Sequence, residues 1–495
     1  MISYLYRFRA CRKTESGAVQ ARLIRVARRS ADLDRGKSMR PLLPALCVAL
    51  LLPAAPAPAH PAPAALAREA DAALAATVSP KGSGATVLIA RGDTILYRRA
   101  RGMAEVELGM PMAPDQIFRI ASITKSFTAA LIVQMAERGE VALDAPAARY
   151  LPELPLDPRI TLRQLLGHTA GIAENDATPQ PPFGPGEVPL AQQVARIAAR
   201  PLRSAPGTEQ RYSNSGYMLL GAVIEKVTGQ SWDEAMRTRL FAPLALADTA
   251  YDRRDAIVAR RVAGYTLAEG RLRNAAAFNM SLPKTAGSLR SSAADLMRWM
   301  RALAHGRVVS AAGFAQMAQP ALAGVPLQER YGLGLYVWQI RGQTAIGHTG
   351  QIDGFASALL YLPASDTVIV VLANNDAFDA QTLARRMAAI ALGKPYPLPL
   401  PERALPPEAA VLPGTYGSDP ATMRTLAIAG GHLTIARAGR AAIPVMLDAR
   451  GDIRFVPDEI SYFTPVRDAA GKVIRLDYFA KGEGPPLALL RADPH

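Results

Sequence analysis

The alternation of apolar and polar positions sketches an α/β protein before any motif is considered. The run Thr86-Val87-Leu88-Ile89-Ala90, the turn residues Arg91-Gly92-Asp93 and the run Thr94-Ile95-Leu96-Tyr97 predict a β-hairpin. Helical patterns follow over residues 126–138, stopped by Gly139, and over 217–227, stopped by Gly229. Apolar strand patterns return at 354–362 and 367–373. Strands at both ends of a helical middle predict a sheet assembled from distant parts of the sequence, flanked by an all-α part. Short alternating runs around Gly430-Gly431 and at 472–479 predict a small all-β module at the C-terminal end.

Length and composition agree with this outline. At 495 residues the chain exceeds one ordinary core, so two folded domains with connecting segments are expected. It is 49% hydrophobic and 20% charged, a globular composition. The formal net charge of +15 raises the question of nucleic acid. Its distribution argues against that partner: residues 1–38 hold ten basic residues against Glu15, Asp32 and Asp34, a net +7 outside the domains. After Met39-Arg40, an apolar stretch from Leu42 to Leu52 is too short to span a bilayer and runs into Ala57-Pro58-Ala59, the pattern of a secretory signal peptide. Met39 is then the expected start, with 1–38 a mis-annotated or untranslated extension. Both cysteines, Cys11 and Cys47, fall in these leaders, so the mature chain is expected to lack disulfide and thiol chemistry. Cys47 follows Leu46 rather than a small residue, which disfavours a lipid anchor. No later run predicts a transmembrane helix.

Two shifts in composition divide the remainder. An Ala/Pro-rich stretch from about Pro53 reads as a tether, and Lys394-Pro395-Tyr396-Pro397-Leu398-Pro399-Leu400-Pro401 reads as an extended linker. The division expected is an extension over 1–38, a signal peptide over 39–59, a tether over 60–70, the large domain over 71–393, a linker over 394–407 and the β module over 408–495. Periplasmic or secreted localisation follows from it.

Three short motifs carry the candidate chemistry. Ser122-Ile123-Thr124-Lys125 places a hydroxyl and an amine about one helical turn apart, and the apolar surroundings suit a lysine whose pKa must fall before it can act as a base. Taken alone, Ser122 reads better as a helix cap than as a nucleophile. Ser281-Leu282-Pro283-Lys284 repeats the pattern, but Pro283 spoils the helical placement, so it is set aside. Tyr212-Ser213-Asn214 supplies a phenol to relay a proton and an amide to bind an acyl group. His348-Thr349-Gly350 precedes a strand, and Gly350 permits close backbone approach. His168-Thr169-Ala170 and Lys284-Thr285-Ala286 lack that glycine and read as structural. No cluster of His, Cys, Asp and Glu has metal-ligand spacing, so neither metal nor cofactor is expected.

Ser-x-x-Lys, Tyr-x-Asn and then His-Thr-Gly, in that order, resemble the serine β-lactamase-related family: class C β-lactamases, D-alanyl-D-alanine carboxypeptidases, D-aminopeptidases and related esterases. The likeness extends over residues 76–392 through Phe118-Arg119-Ile120-Ala121, Leu165-Leu166-Gly167-His168-Thr169-Ala170-Gly171, Pro206-Gly207-Thr208, Leu219-Leu220-Gly221 and Pro243-Leu244. The resemblance implies an antiparallel sheet flanked by helices, an all-helical subdomain with the site between them, and a lipocalin-like or β-barrel appendage. It also implies Ser122 as nucleophile, Lys125 and Tyr212 as proton-transfer pair, Asn214, His348, Thr349 and Gly350 as substrate contacts, and the backbone N–H groups of Ser122 and Gln351 as oxyanion hole. The function implied is secreted hydrolysis of D-amino-acid peptides, esters or β-lactams through an acyl-serine, on small or short-peptide substrates that include peptidoglycan-derived ones. The alternative is a non-hydrolytic penicillin-binding or sensor protein on the same scaffold. The family's lactamases usually carry Lys-Thr-Gly; if His348 meets a substrate carboxylate, its protonated form should help as pH falls toward about 6.5. Oligomeric state is left open.

Overall fold

The computed structural model describes residues 61–174, 186–325, 330–397, 405–419, 422–456 and 460–492. The segments expected to be an extension and a signal peptide, with both cysteines, lie outside the described residues.

The expected hairpin is β1 (Ala85–Arg91) and β2 (Thr94–Arg101). Late in the domain come β3 (Tyr336–Ile340), β4 (Gln343–Ile352), β5 (Phe355–Leu362) and β6 (Thr367–Ala373). They form one antiparallel sheet in the order β3-β4-β5-β6-β1-β2, in which Ala85 of β1 faces Ala373 of β6. The distant segments therefore meet in the middle of the sheet. Both faces are covered, which explains why β1, β5 and β6 read as continuous apolar runs rather than alternating ones. One face, including Val87, Ile89, Leu360 and Ile369, packs against α1 (Pro63–Thr77) and α5 (Ala380–Ala391). The other, including Leu88, Val368, Val370 and Leu372, shares its core with α2 (Thr124–Glu137), α3 (Asn214–Thr228) and α4 (Ala293–Ala304). Short helices at Leu162–Leu166, Leu190–Ala198, Trp232–Met236 and Ala311–Ala318 belong to that same core.

The C-terminal module has eight antiparallel strands in sequence order, from Gly414–Tyr416 to Leu487–Leu490. A bridge between Tyr416 and Arg491, with Gly417 N–H donating to Leu490 O at 2.7 Å, joins the ends into a barrel. Tyr416, Leu426, Ile453, Phe463 and Leu476 fill its interior. A cavity of about 650 Å³ opens beside Leu412, Leu433, Val445 and Asp448, away from all the site residues.

Two boundaries need correction. The tether expected over 60–70 becomes α1 from Pro63 onward, with Leu66 and Ala70 buried against the sheet. Alanine is the strongest helix former and proline suits the first helical turn, so the composition that suggested a tether is also that of a helix. The linker expected over 394–407 is partly core: Tyr396 is 6% exposed, and Ala409 and Leu412 beyond it are buried in the barrel. Residues 398–404 lie outside the described residues. No described helix is long and apolar enough to cross a membrane.

Candidate active site

Ser122 sits in a single 3-10 turn, Ala121–Ile123, that leads directly into α2. It makes no capping bond. Ala121 holds φ +46°, a conformation that costs a non-glycine residue about 1–3 kcal/mol, so the surroundings hold the nucleophile's turn in place. Those surroundings are visible: Ser357 Oγ of β5 donates to Ile120 O at 2.9 Å, and Leu289 N–H donates to Thr124 Oγ1 at 3.2 Å. Every residue of α2 from Thr124 to Met135 is buried, so Lys125 enters the site from a helix with no wet face.

Lys125 Nζ lies 3.2 Å from Ser122 Oγ, 2.7 Å from Asn214 Oδ1 and 2.8 Å from Ala286 O. All three partners are neutral. Burial lowers its pKa from 10.5 to about 7, opposed in part by the charge of Glu174. A substantial neutral fraction at pH 7 follows, whose lone pair can take the Ser122 proton.

Tyr212 stands beside Ser122, and its ring centroid is 4.6 Å from Lys125 Nζ. Burial, with Tyr336 close by, pushes its pKa well above 10, so it is a phenol rather than a phenolate at neutral pH. Its loop is held from both sides by His168: the His168 carbonyl accepts from Arg211 N–H at 2.8 Å, and Nδ1 accepts from Ser213 N–H at 3.1 Å. Ser213 in turn caps α3, its Oγ accepting from Gly216 N–H. Asn214 is therefore the first residue of α3, with its Oδ1 on Lys125 and its N–H on the Glu174 carboxylate.

The opposite wall is β4. A Cβ on Gly350 would lie 2.3 Å from Ile120 O and 2.5 Å from Ser357 Oγ, so only glycine lets this strand pass the nucleophile's turn. Thr349 is half-buried, and Gln351 is exposed with Nε2 donating to Asp376 O at 2.6 Å. His348 departs from the expectation of a chargeable carboxylate contact. It is 1% exposed, with Nδ1 on its neighbour Thr349 O and Nε2 3.0 Å from Tyr331 Oη. Burial, then the nearby Lys125, lowers its pKa to about 3. The imidazole stays neutral over the physiological range, so no gain from its protonation is expected toward pH 6.5.

The sequence motifs thus converge on Ser122: Lys125 bonds both Ser122 and Asn214, the Tyr212 ring stands beside Lys125 and 6.2 Å from that of His348, and Gly350 passes the turn of Ser122. Sequence reasoning missed Glu174, Tyr331, Tyr336 and the Ala286 carbonyl. A lone acid in a loop carries no spacing signature, and a carbonyl carries no residue identity. The side chains of Lys284-Thr285-Ala286 are structural: Lys284 pairs with Glu187 and Thr285 Oγ1 donates to Tyr217 O. Among the described residues, no group of three or more His, Cys, Asp or Glu side chains is placed to hold a metal ion.

Comparisons with known proteins place this geometry. The chain is 31% identical over 351 residues to penicillin-binding protein 4 of Amycolatopsis lactamdurans, covering 66% of this chain and 90% of that protein. It is 36% identical over 184 residues to esterase EstB of Burkholderia gladioli, covering 34% of this chain and 47% of the esterase, less than half its length. Among solved structures it resembles a D-stereospecific amidohydrolase from Streptomyces sp., with a TM-score of 0.57 and 29% identity over 65% of this chain and 97% of that one. A profile of the family described as Beta-lactamase matches residues 67–392, ending before the barrel. The chain belongs to the β-lactamase family and is a serine hydrolase.

Proposed function

We propose that the protein is an exported acyl-serine hydrolase of small amides and esters that carry an ammonium group, D-amino-acid amides or short peptides with a free amino end, rather than substrates that need a bound carboxylate. The observation that carries the reading is the charge state of three groups around Ser122. Its histidine is neutral, its lysine is a base with a pKa of about 7, and a carboxylate, Glu174, is coupled to that lysine and hydrogen-bonded by Asn214 N–H. A β-lactam or a C-terminal D-alanine presents a carboxylate, and neither His348 nor Lys125 is a fixed cation for it. An α-ammonium would instead share Glu174 with the groups already on it, Asn214 N–H at its carboxylate and the Arg200 guanidinium at its carbonyl. The amidohydrolase relative supports D-stereochemistry, and the apolar leader at Leu42 to Leu52 supports export.

In this reading Ser122 Oγ attacks the substrate carbonyl as its proton passes to Lys125 Nζ. The carbonyl oxygen becomes an oxyanion between the backbone N–H groups of Ser122 and Gln351, and Asn214 contacts the acyl part. Tyr212 gives its proton to the departing amine or alcohol and regains one from Lys125. Water then cleaves the acyl-serine by the reverse proton path. A panel of D-phenylalanine amide, D-alanine p-nitroanilide, a short-chain nitrophenyl ester, an N-acylated D-alanyl-D-alanine and a chromogenic cephalosporin tests the proposal. The amide, anilide and ester should be turned over at least tenfold more efficiently than the last two. Preferential turnover of the carboxylate-bearing pair refutes the substrate class.

A further inference from the structure

The barrel lies outside the matched family region, yet a buried carboxylate from it reaches the catalytic sheet. β3 and β4 form a hairpin whose turn is Arg341-Gly342, with φ of +52° and +77°. Positive φ at both positions matches the strand twist but is unfavourable for arginine, where Asn or Gly is usual. What holds Arg341 there comes from beyond the domain. Its N–H donates to Glu483 Oε1 at 2.7 Å. Its guanidinium donates to Lys394 O and Pro395 O, each at 2.8 Å, and lies 4.0 Å from the centroid of the Tyr396 ring. Tyr396 Oη donates to the same Glu483 oxygen, and buried Arg385 stands 3.9 Å from it. Ile460 of the barrel joins the apolar core that holds Trp338 and Ile340 of β3.

A carboxylate whose side chain is only 5% exposed is a poor way to stabilise a seam, since apolar groups of the same volume often do as well or better. What such a group supplies is a fixed geometry, and here the geometry it fixes is a backbone N–H at the tip of two strands. Their other ends form the site wall. Tyr336 of β3 pairs with Gly347, and its ring centroid lies 5.2 Å from that of His348 and 6.5 Å from that of Tyr212; β4 carries His348 to Gln351 past Ser122. β3 is the edge strand, so β6, β1 and β2 do not brace this hairpin directly.

We propose that the C-terminal barrel is a strut for the catalytic sheet, with Glu483 as a positioning residue that fixes the β3–β4 turn and thereby the strand facing the nucleophile. The inference rests on β4 being the substrate-facing wall of the proposed site. Hydrogen exchange of the full-length chain tests it without reference to any substrate. Glu483→Ala should speed exchange at backbone amides of residues 343–352 by at least tenfold while those of β6 and β1 stay as slow as in the wild type. On a neutral nitrophenyl ester it should lower kcat three- to thirtyfold with KM nearly constant. Glu483→Gln keeps an acceptor oxygen for Arg341 and Tyr396 and should recover most of both. Should Glu483→Ala fail to fold, Tyr396→Phe removes one of the two hydrogen bonds to Glu483 Oε1 while keeping the ring under Arg341, and should move both readouts in the same direction by a smaller amount. Unchanged exchange at 343–352 in a folded variant overturns the strut, as does a kcat loss without faster exchange. If the wild type turns over no ester at all, the functional reading fails while the exchange result still decides the strut.

Discussion

The chain contains two Ser-x-x-Lys segments, and the structure treats them in opposite ways. At Ser122 and Lys125 the amine faces its own serine and two further neutral acceptors in a buried helix. At Ser281 and Lys284 the serine donates to Asn279 Oδ1 at 2.7 Å and accepts from Val188 N–H, while the lysine forms an ion pair with Glu187. Pro283 precedes a short 3-10 turn at Lys284–Ala286, so this serine and lysine never share a helical face. The spacing is the same, and the partners decide which lysine can give up its proton. The silent copy still serves the active one, because its turn presents Ala286 O to Lys125.

Removing the active hydroxyl is the strongest way to break the comparison. Ser122→Ala should lower ester and amide turnover by about 10³-fold or more, with thermal unfolding nearly unchanged, since the half-buried oxygen is no cap. Initial rates and calorimetry on the same samples check both halves.

Charge comes next. kcat/KM for a neutral ester should rise with pH through about 7 as Lys125 loses its proton. Glu174 raises that pKa, so Glu174→Gln should move the acid limb to lower pH and, separately, raise KM for ammonium-bearing amides about tenfold while sparing neutral esters. Equal KM effects on both substrate types would contradict the role given to Glu174. Folding stability carries the same signature. Because the pKa of Lys125 is lower folded than unfolded, the unfolded chain holds more protons between about 7 and 10.5, and stability gains with rising pH across that window. The slope should be missing in Lys125→Met, measured by denaturant titration at several pH values.

The smallest effect is expected at the silent motif. Ser281→Ala loses bonds to Asn279 and Val188 and should cost about 1–2 kcal/mol of stability with activity intact. A turnover loss approaching that of Ser122→Ala would reverse the assignment of the two motifs.

The sequence made local features legible. The β1–β2 hairpin, α3 with its Gly229 stop and the three motif segments depend on neighbours a few residues apart, and they stand where patterning puts them. Features that depend on distant partners were not legible. The neutrality of His348 follows from burial under Tyr331 and beside Lys125, neither of which its own triplet encodes. Glu483 joins Arg341 across 142 positions with no periodicity to announce it. The loss of the tether has another origin, since an Ala/Pro run has two readings and only the sheet face under Leu66 selects the helix.

The most direct test of the account is to identify the serine that becomes covalently attached. Full-length protein treated with a fluorophosphonate should gain one adduct by intact mass, and peptide mapping should place it on Ser122, with labelling rising through about pH 7 and absent in Ser122→Ala. An adduct on Ser281, or labelling that survives Ser122→Ala, would contradict it.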